Sequence, residues 1–174
     1  MSASPSGHPS GRPAAFLDRD GVLNHRIPGD TYVTRPEELE VLPHVPEAAR
    51  RLRAAGYALV VVTNQRGVAR GFMSEEDLAA VHEVLRAAFA AAGAPLDAIY
   101  YCPHDRHHGC ACRKPRPGML LRAIEELGLD PSRSLLIGDS DHDLRAAEAA
   151  GVPVRVLMES DGDLREALDR AGVP

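Results

Sequence analysis

The sequence predicts a doubly wound α/β fold, a parallel sheet of about five strands with helices on both faces. Three observations carry this. Short apolar runs alternate with segments of helical periodicity, the connections between most of them are short, and polar clusters stand at the ends of successive apolar runs. In such sheets ligands bind beyond the carboxyl ends of the strands, where those clusters fall.

Ala14 to Leu17 is apolar and runs into Asp18, Arg19, Asp20 and Gly21, the pattern of a buried strand that delivers carboxylates to its end. Residues 21–45 hold Asn24, Pro28, Gly29, Asp30, Pro36 and Pro43 with little periodicity and predict a long excursion with a flap of its own. Pro46 to Ala55 reads as a helix stopped by Gly56, and Ala58 to Val62 as a β-branched core strand ending at Thr63 and Asn64. Ser74 and Asp77 form a capping-box pattern, after which Leu78, Val81, Leu85, Ala88 and Phe89 recur at helical spacing up to Gly93. Leu96 to Tyr101 reads as a third strand, and a Cys/His loop follows it. Pro117 opens a helix that Gly128 closes, and Ser134 to Ile137 is a fourth strand. Asp141 to Ala150 is a short helix, Val154 to Leu157 a fifth strand and Asp163 to Ala171 a closing helix. Residues 1–13, rich in Ser, Pro and Gly, read as a flexible tail, leaving 14–174 as one domain.

The composition narrows the function. A net charge of −5, no Trp and only three Phe and four Tyr argue against a basic, aromatic-lined nucleic-acid surface and favour small phosphorylated partners. No apolar stretch approaches the roughly 20 residues that span a bilayer, and the N-terminal residues lack the apolar core of a signal peptide, so no membrane partner and a cytoplasmic location are expected. The three cysteines all lie between Cys102 and Cys112, a spacing that suits metal ligation in a reducing compartment better than a disulfide framework. Of 20 basic residues 19 are Arg, and Lys114 is the sole Lys.

Four loops then supply one site: Asp18/Asp20, Thr63/Asn64, Arg113/Lys114 and Asp139/Asp143. Asp18 suits a nucleophile toward phosphorus, and Asp20 a group that protonates the leaving oxygen and later deprotonates water. Attack of a carboxylate on a phosphate dianion is electrostatically opposed, so the site needs a cation. Mg²⁺ held by Asp18, the backbone carbonyl of Asp20 and Asp139 meets that need, with Lys114 as a compact positive charge and the Thr63 hydroxyl on phosphoryl oxygens. Taken singly, each cluster is better read as a turn, a strand end or a helix cap, Asp143 as a first-turn acid included. Their joint order at successive strand ends favours the site.

The loop spacing Cys102-x-His104-x5-Cys110-x-Cys112 offers three thiolates and an imidazole, the complement of a closed tetrahedral Zn²⁺ site, although buried or idle cysteines fit the pattern equally. With four protein ligands such a metal keeps no position for water, so its role is structural.

The strings Phe16-Leu17-Asp18-Arg19-Asp20-Gly21-Val22-Leu23-Asn24, Val61-Val62-Thr63-Asn64-Gln65, Arg113-Lys114-Pro115 and Ile137-Gly138-Asp139-Ser140-Asp141-His142-Asp143 resemble the four motifs of the haloacid dehalogenase superfamily of phosphatases, over residues 14–157. Thr63 to Gly71 and Tyr100-Tyr101-Cys102-Pro103-His104 are similar to its branch of D-glycero-D-manno-heptose 1,7-bisphosphate 7-phosphatases. The resemblance implies an aspartyl-phosphate on Asp18, Asp20 as general acid/base, Lys114 stabilising the intermediate, and Mg²⁺ on Asp18, Asp20 and Asp139, with Asp143 in support. It also implies substrate contacts from Thr63, Asn64, Gln65, Arg66 and Arg113, and Zn²⁺ on Cys102, His104, Cys110 and Cys112. Arg66 stands where the branch has a small residue, and Ser140 where some relatives have a Lys. No insertion is long enough for a separate cap domain, which implies an open site on a monomer. Histidinol-phosphate phosphatase is the competing enzyme reading, and a noncatalytic zinc module the reading from another class.

Overall fold

The computed structural model describes residues 11–29 and 31–174. The ten residues that begin the expected tail lie outside that range. Residues 11–13 are tied to the domain: the Arg12 carbonyl accepts from Asp130 N at 3.1 Å and the Pro13 carbonyl from Ala58 N at 2.8 Å, so the ordered chain starts earlier than residue 14.

Five parallel strands form one sheet, β1 (Ala14–Leu17), β2 (Ala58–Asn64), β3 (Ala98–Cys102), β4 (Leu135–Gly138) and β5 (Val154–Leu157), in the order β3-β2-β1-β4-β5. The helices are α1 (Val45–Ala54), α2 (Glu75–Ala91), α3 (Gly118–Leu127), α4 (Asp141–Ala149) and α5 (Leu164–Arg170). Both faces of the central strand β1 are buried, as its continuous apolar run requires. Ala15 and Leu17, with Leu59, Val61 and Ile137, face α1, the C-terminal half of α2 and α5. Ala14 and Phe16, with Val60, Val62 and Leu136, face α3 and α4.

The expected caps form. The Ser74 side chain accepts from Asp77 N while Asp77 reaches back to Ser74 N at 2.8 Å, and Gly128 ends α3 in the left-handed conformation. Residues 21–45 make an out-and-back excursion rather than a folded flap. Asn24 bridges Val41 in antiparallel register, a 3-10 turn spans Pro36–Glu38, and Val22, Leu23, Val33 and Leu42 are buried beneath it. After β1 the chain steps to β2 and β3 on one side, then crosses to β4 and β5 on the other. A crevice therefore opens at the carboxyl ends of β1 and β4.

Candidate active site

The site grows from the end of β1. Asp18 lies one residue past the strand, its N–H still bonded to the Ile137 carbonyl of β4 at 3.1 Å, so its position is set by the sheet. Its Oδ1 accepts from Arg19 N at 2.8 Å and from Lys114 Nζ at 2.9 Å. The Lys114 ammonium also donates to Asp143 Oδ1 at 2.5 Å and to the Val62 carbonyl at 2.7 Å, and only 3% of the residue is exposed. All three ammonium protons are thus used on fixed oxygens around one point. A guanidinium, planar and larger, cannot direct three donors in that way, which accounts for the single Lys in an Arg-rich chain.

Asp143 combines both sequence readings. Its Oδ2 takes the Ser140 N–H at 3.1 Å and hydroxyl at 2.7 Å, capping α4, while Oδ1 holds Lys114. It can fold back over the strand end because residue 138 is Gly, where a Cβ would stand 2.3 Å from that of Asp143. Gly21, at φ +85°, likewise leaves room for the Asp139 carboxylate.

Single oxygens of Asp18, Asp139 and Asp143 lie within 4.8 Å of one another. Burial, then Asp143 and, after the opposing Lys114, Asp139, push the Asp18 carboxyl up to about 7. Burial acts against the charge on Lys114, yet Asp18 and Asp143 hold its pKa above the usual lysine value. Three carboxylates about one ammonium leave a surplus of negative charge. The Arg26 guanidinium reaches Asp139 Oδ2 at 3.0 Å from the rim. The donor set, all hard oxygens, fits Mg²⁺.

The Asp20 carboxylate stands outside that cluster but lines the same cleft. Its Oδ1 accepts from Arg19 Nη2 at 2.9 Å and Nε at 3.3 Å and from Asn24 Nδ2 at 3.0 Å, and its Oδ2 from Gln65 Nε2 at 2.9 Å. Burial alone would raise its pKa, but the Arg19 charge and these donors hold it below the ordinary carboxylate range.

The other expected residues divide. Thr63 and Asn64 line the cleft, but the Asn64 amide is engaged with the Lys114 backbone, donating to its carbonyl and accepting from its N–H, both at 3.1 Å. Asn64 thereby holds the loop that carries the ammonium. Gln65, expected to touch substrate, is fully buried and absent from the cleft wall, because its amide is bound to Asp20 and, at 2.8 Å, to Thr63 Oγ1. Arg66 lines the cleft and pairs with Asp105 at 2.7 Å, and Arg113 lines it while donating to the His104 carbonyl at 3.2 Å. The cleft encloses about 740 Å³ and is walled by five arginines, Arg26, Arg66, Arg106, Arg113 and Arg116. Two of these, Arg106 and Arg116, escaped the sequence reading, for they lie in loops without periodicity.

The Cys/His loop closes on itself. Cys112 Sγ lies 3.2 Å from Cys102 Sγ and 3.2 Å from His104 Nδ1, and Cys102 Sγ lies 3.6 Å from Cys110 Sγ. Four ligand atoms meet within 4.8 Å, near the edge of about 3.7 Å that a tetrahedron of metal–sulfur bonds of about 2.3 Å would have. Burial pushes the Cys102 thiol up to about 12, while at Cys110 burial is outweighed by backbone donors and the neighbouring thiols, which hold its thiol below the usual value.

The model of the haloacid dehalogenase-like hydrolases matches residues 14–151. The chain is 42% identical over 162 residues to D-glycero-beta-D-manno-heptose-1,7-bisphosphate 7-phosphatase of Vibrio cholerae, covering 89% of this chain and 86% of the relative. It is 45% identical over 149 residues to the protein of the same name from Rhodopseudomonas palustris, covering 82% and 81%. Among solved structures, D,D-heptose 1,7-bisphosphate phosphatase from B. bronchiseptica, complexed with magnesium and phosphate, superposes with a TM-score of 0.78 at 39% identity, covering 93% of this chain and 88% of that one. The buried carboxylate–lysine centre at the crevice of a doubly wound sheet thus coincides with a family match over most of its length: the chain belongs to the haloacid dehalogenase-like hydrolases.

Proposed function

We propose that this chain is a phosphoric monoester hydrolase that removes the 7-phosphate of D-glycero-D-manno-heptose 1,7-bisphosphate. The reading rests on the similarity to the heptose bisphosphate phosphatases together with one feature of the cleft. A single lysine sits on carboxylates at its floor while five arginines stand around its wall, an arrangement for a substrate that carries a second anionic group besides the one that reacts. Histidinol phosphate carries an ammonium in place of that second anion, and the arginine wall disfavours it.

Asp18 attacks phosphorus, the bond from phosphorus to the sugar oxygen breaks, and Asp20, ionised in the free protein, gives that oxygen a proton it takes up as the phosphate monoanion binds. Water then attacks the aspartyl-phosphate, Asp20 takes a proton from it, and the carboxylate leaves phosphorus. Lys114, held on Asp18, offsets charge on the transferring group. Asp18, Asp139 and the Asp20 backbone carbonyl would hold Mg²⁺, which would supply the countercharge for a carboxylate approaching a phosphate dianion. Thr63, Arg66 and Arg113 contact the substrate. Cys102, His104, Cys110 and Cys112 would hold a structural Zn²⁺, and a loop fixed there would set the direction of the adjacent Arg113 and Lys114. Residues 14–174 act as one domain, and the protein works as a monomer in the cytoplasm on this small sugar phosphate, without membrane or nucleic acid.

The test is phosphate release from both anomers of heptose 1,7-bisphosphate and from histidinol phosphate, in Mg²⁺ and in EDTA. The bisphosphate should be hydrolysed at least tenfold faster than histidinol phosphate, only with the metal, and Asp18→Asn should abolish turnover. A wild-type rate in that variant would remove the nucleophile, and preference for histidinol phosphate would remove the substrate.

A further inference from the structure

The centre of the site is served by a second buried cation whose partner lies 63 residues away. Arg19 stands between the two reacting aspartates, yet its side chain is fully withdrawn from solvent. Its Nε and Nη2 both point to Asp20 Oδ1, while Nη1 points away and meets Nε2 of His82 at 3.2 Å. His82 lies on α2 and is itself 5% exposed, with its ring 5.7 Å from that of Tyr101. A guanidinium offers donors only, so Nε2 must accept and the ring proton must sit on Nδ1. Burial, with the Arg19 charge beside it, holds the ring neutral, its pKa down to about 3.

Without that acceptor, one edge of the guanidinium would face an apolar helix with a donor unpaired, and the group would turn to seek another partner. The two donors on Asp20 would turn with it, since the fork is rigid. Asn24 and Gln65 would still bind the carboxylate, but its orientation toward the leaving oxygen would be less fixed. We infer that His82 is a positioning residue for proton transfer: through Arg19 it fixes the rotation of the Asp20 carboxylate, and thereby its ability to protonate the leaving group. This rests on the reading of Asp20 as the general acid.

The experiment compares kcat/KM, which reports the steps through the first phosphoryl transfer, for two substrates. A sugar phosphate leaves as an alkoxide that needs the proton; p-nitrophenyl phosphate leaves as a stable phenolate that does not. His82→Met should lower kcat/KM for the sugar phosphate about tenfold more than for the aryl ester, a share of the 10²- to 10⁴-fold that acid catalysis supplies. His82→Gln, whose carbonyl can accept from Arg19, should restore the wild-type ratio. Equal losses on both substrates, or none, would overturn the inference. Asp20→Asn serves as the control. If it shows the selective loss and His82→Met does not, positioning by His82 fails alone; if Asp20→Asn shows none, the acid assignment fails and the inference with it. Nitrogen NMR of the wild-type protein needs no variant: an Nε2-protonated His82 at neutral pH would also overturn it.

Discussion

Replacing Lys114 with Met tests the centre most directly, since Met keeps the aliphatic stem and removes only the ammonium. Three hydrogen bonds disappear, to Asp18, Asp143 and the Val62 carbonyl. The Asp143 side chain is 1% exposed and that of Asp18 14%, so water replaces the lost donors poorly, least of all at Asp143. Breaking a buried ion pair by removing one partner costs about 3–5 kcal/mol, and two charge-assisted hydrogen bonds at about 1.5–3 kcal/mol each arrive at a similar range. That is a large part of the 5–15 kcal/mol of a typical domain, but it leaves the variant folded at low temperature. Urea unfolding in EDTA at about pH 7.5 should therefore show a lower midpoint with an unchanged slope. Asp18 is already raised by burial, and without the ammonium it rises further. The native variant then keeps a proton that the wild type releases near pH 7, so its deficit relative to the wild type is flat at lower pH and grows as pH rises through about 7. Adding Asp143→Asn, whose carbonyl can still cap Ser140, should return about 1–2 kcal/mol. A loss below about 1 kcal/mol in Lys114→Met, or strict additivity in the double variant, would refute the account of a carboxylate pair held by one buried charge.

Cys110→Ser should lower zinc content and kcat together, measured by metal analysis and phosphate release, because the loop that carries the quartet continues directly into Arg113 and Lys114; a zinc-free variant of full activity would break that link. In the metal-free wild type the Asp18 carboxyl is raised from its ordinary 3.8 to about 7, so its contribution to stability is complete below about pH 4 and lost as pH rises through 7. Mg²⁺ binding near pH 6 should therefore release protons. Calorimetry in two buffers of different ionisation enthalpy reads this, and a heat independent of buffer would contradict it.

The strands were legible in the sequence because each is a short apolar run bounded by Gly, Pro or Asp, and the central one is buried on both faces. The largest strand differences are at β2, which continues through Thr63 and Asn64, and β3, which begins at Ala98 and reaches Cys102. Both follow from ladder pairing, with Thr63 opposite Tyr101 and Asn64 opposite Cys102, which periodicity within one strand does not report. The excursion at 21–45 was expected from its composition, but its internal order was hidden for the same reason: it comes from the Asn24–Val41 bridge and from burial of Val22, Val33 and Leu42, not from a repeat. In the candidate site, the residues on strand ends could be read, since position in the fold follows from the strand pattern. The inward turn of Gln65 could not be read from the sequence, because its neighbour in the chain faces the cleft while its own amide turns to Asp20. Nothing local in the sequence ties His82 to Arg19; only the packing of α2 beside the end of β1 brings the two together.

The solitary lysine has a practical corollary. With 19 of the 20 cationic side chains being guanidinium groups and the remaining one 3% accessible, the folded surface offers acylating reagents no ε-amine to modify. Such a reagent, applied to the native enzyme, becomes a clock for transient opening of the catalytic floor: acetylation at Lys114 accrues only as fast as the ammonium escapes its carboxylates, and any ligand that tightens that grip slows the mark.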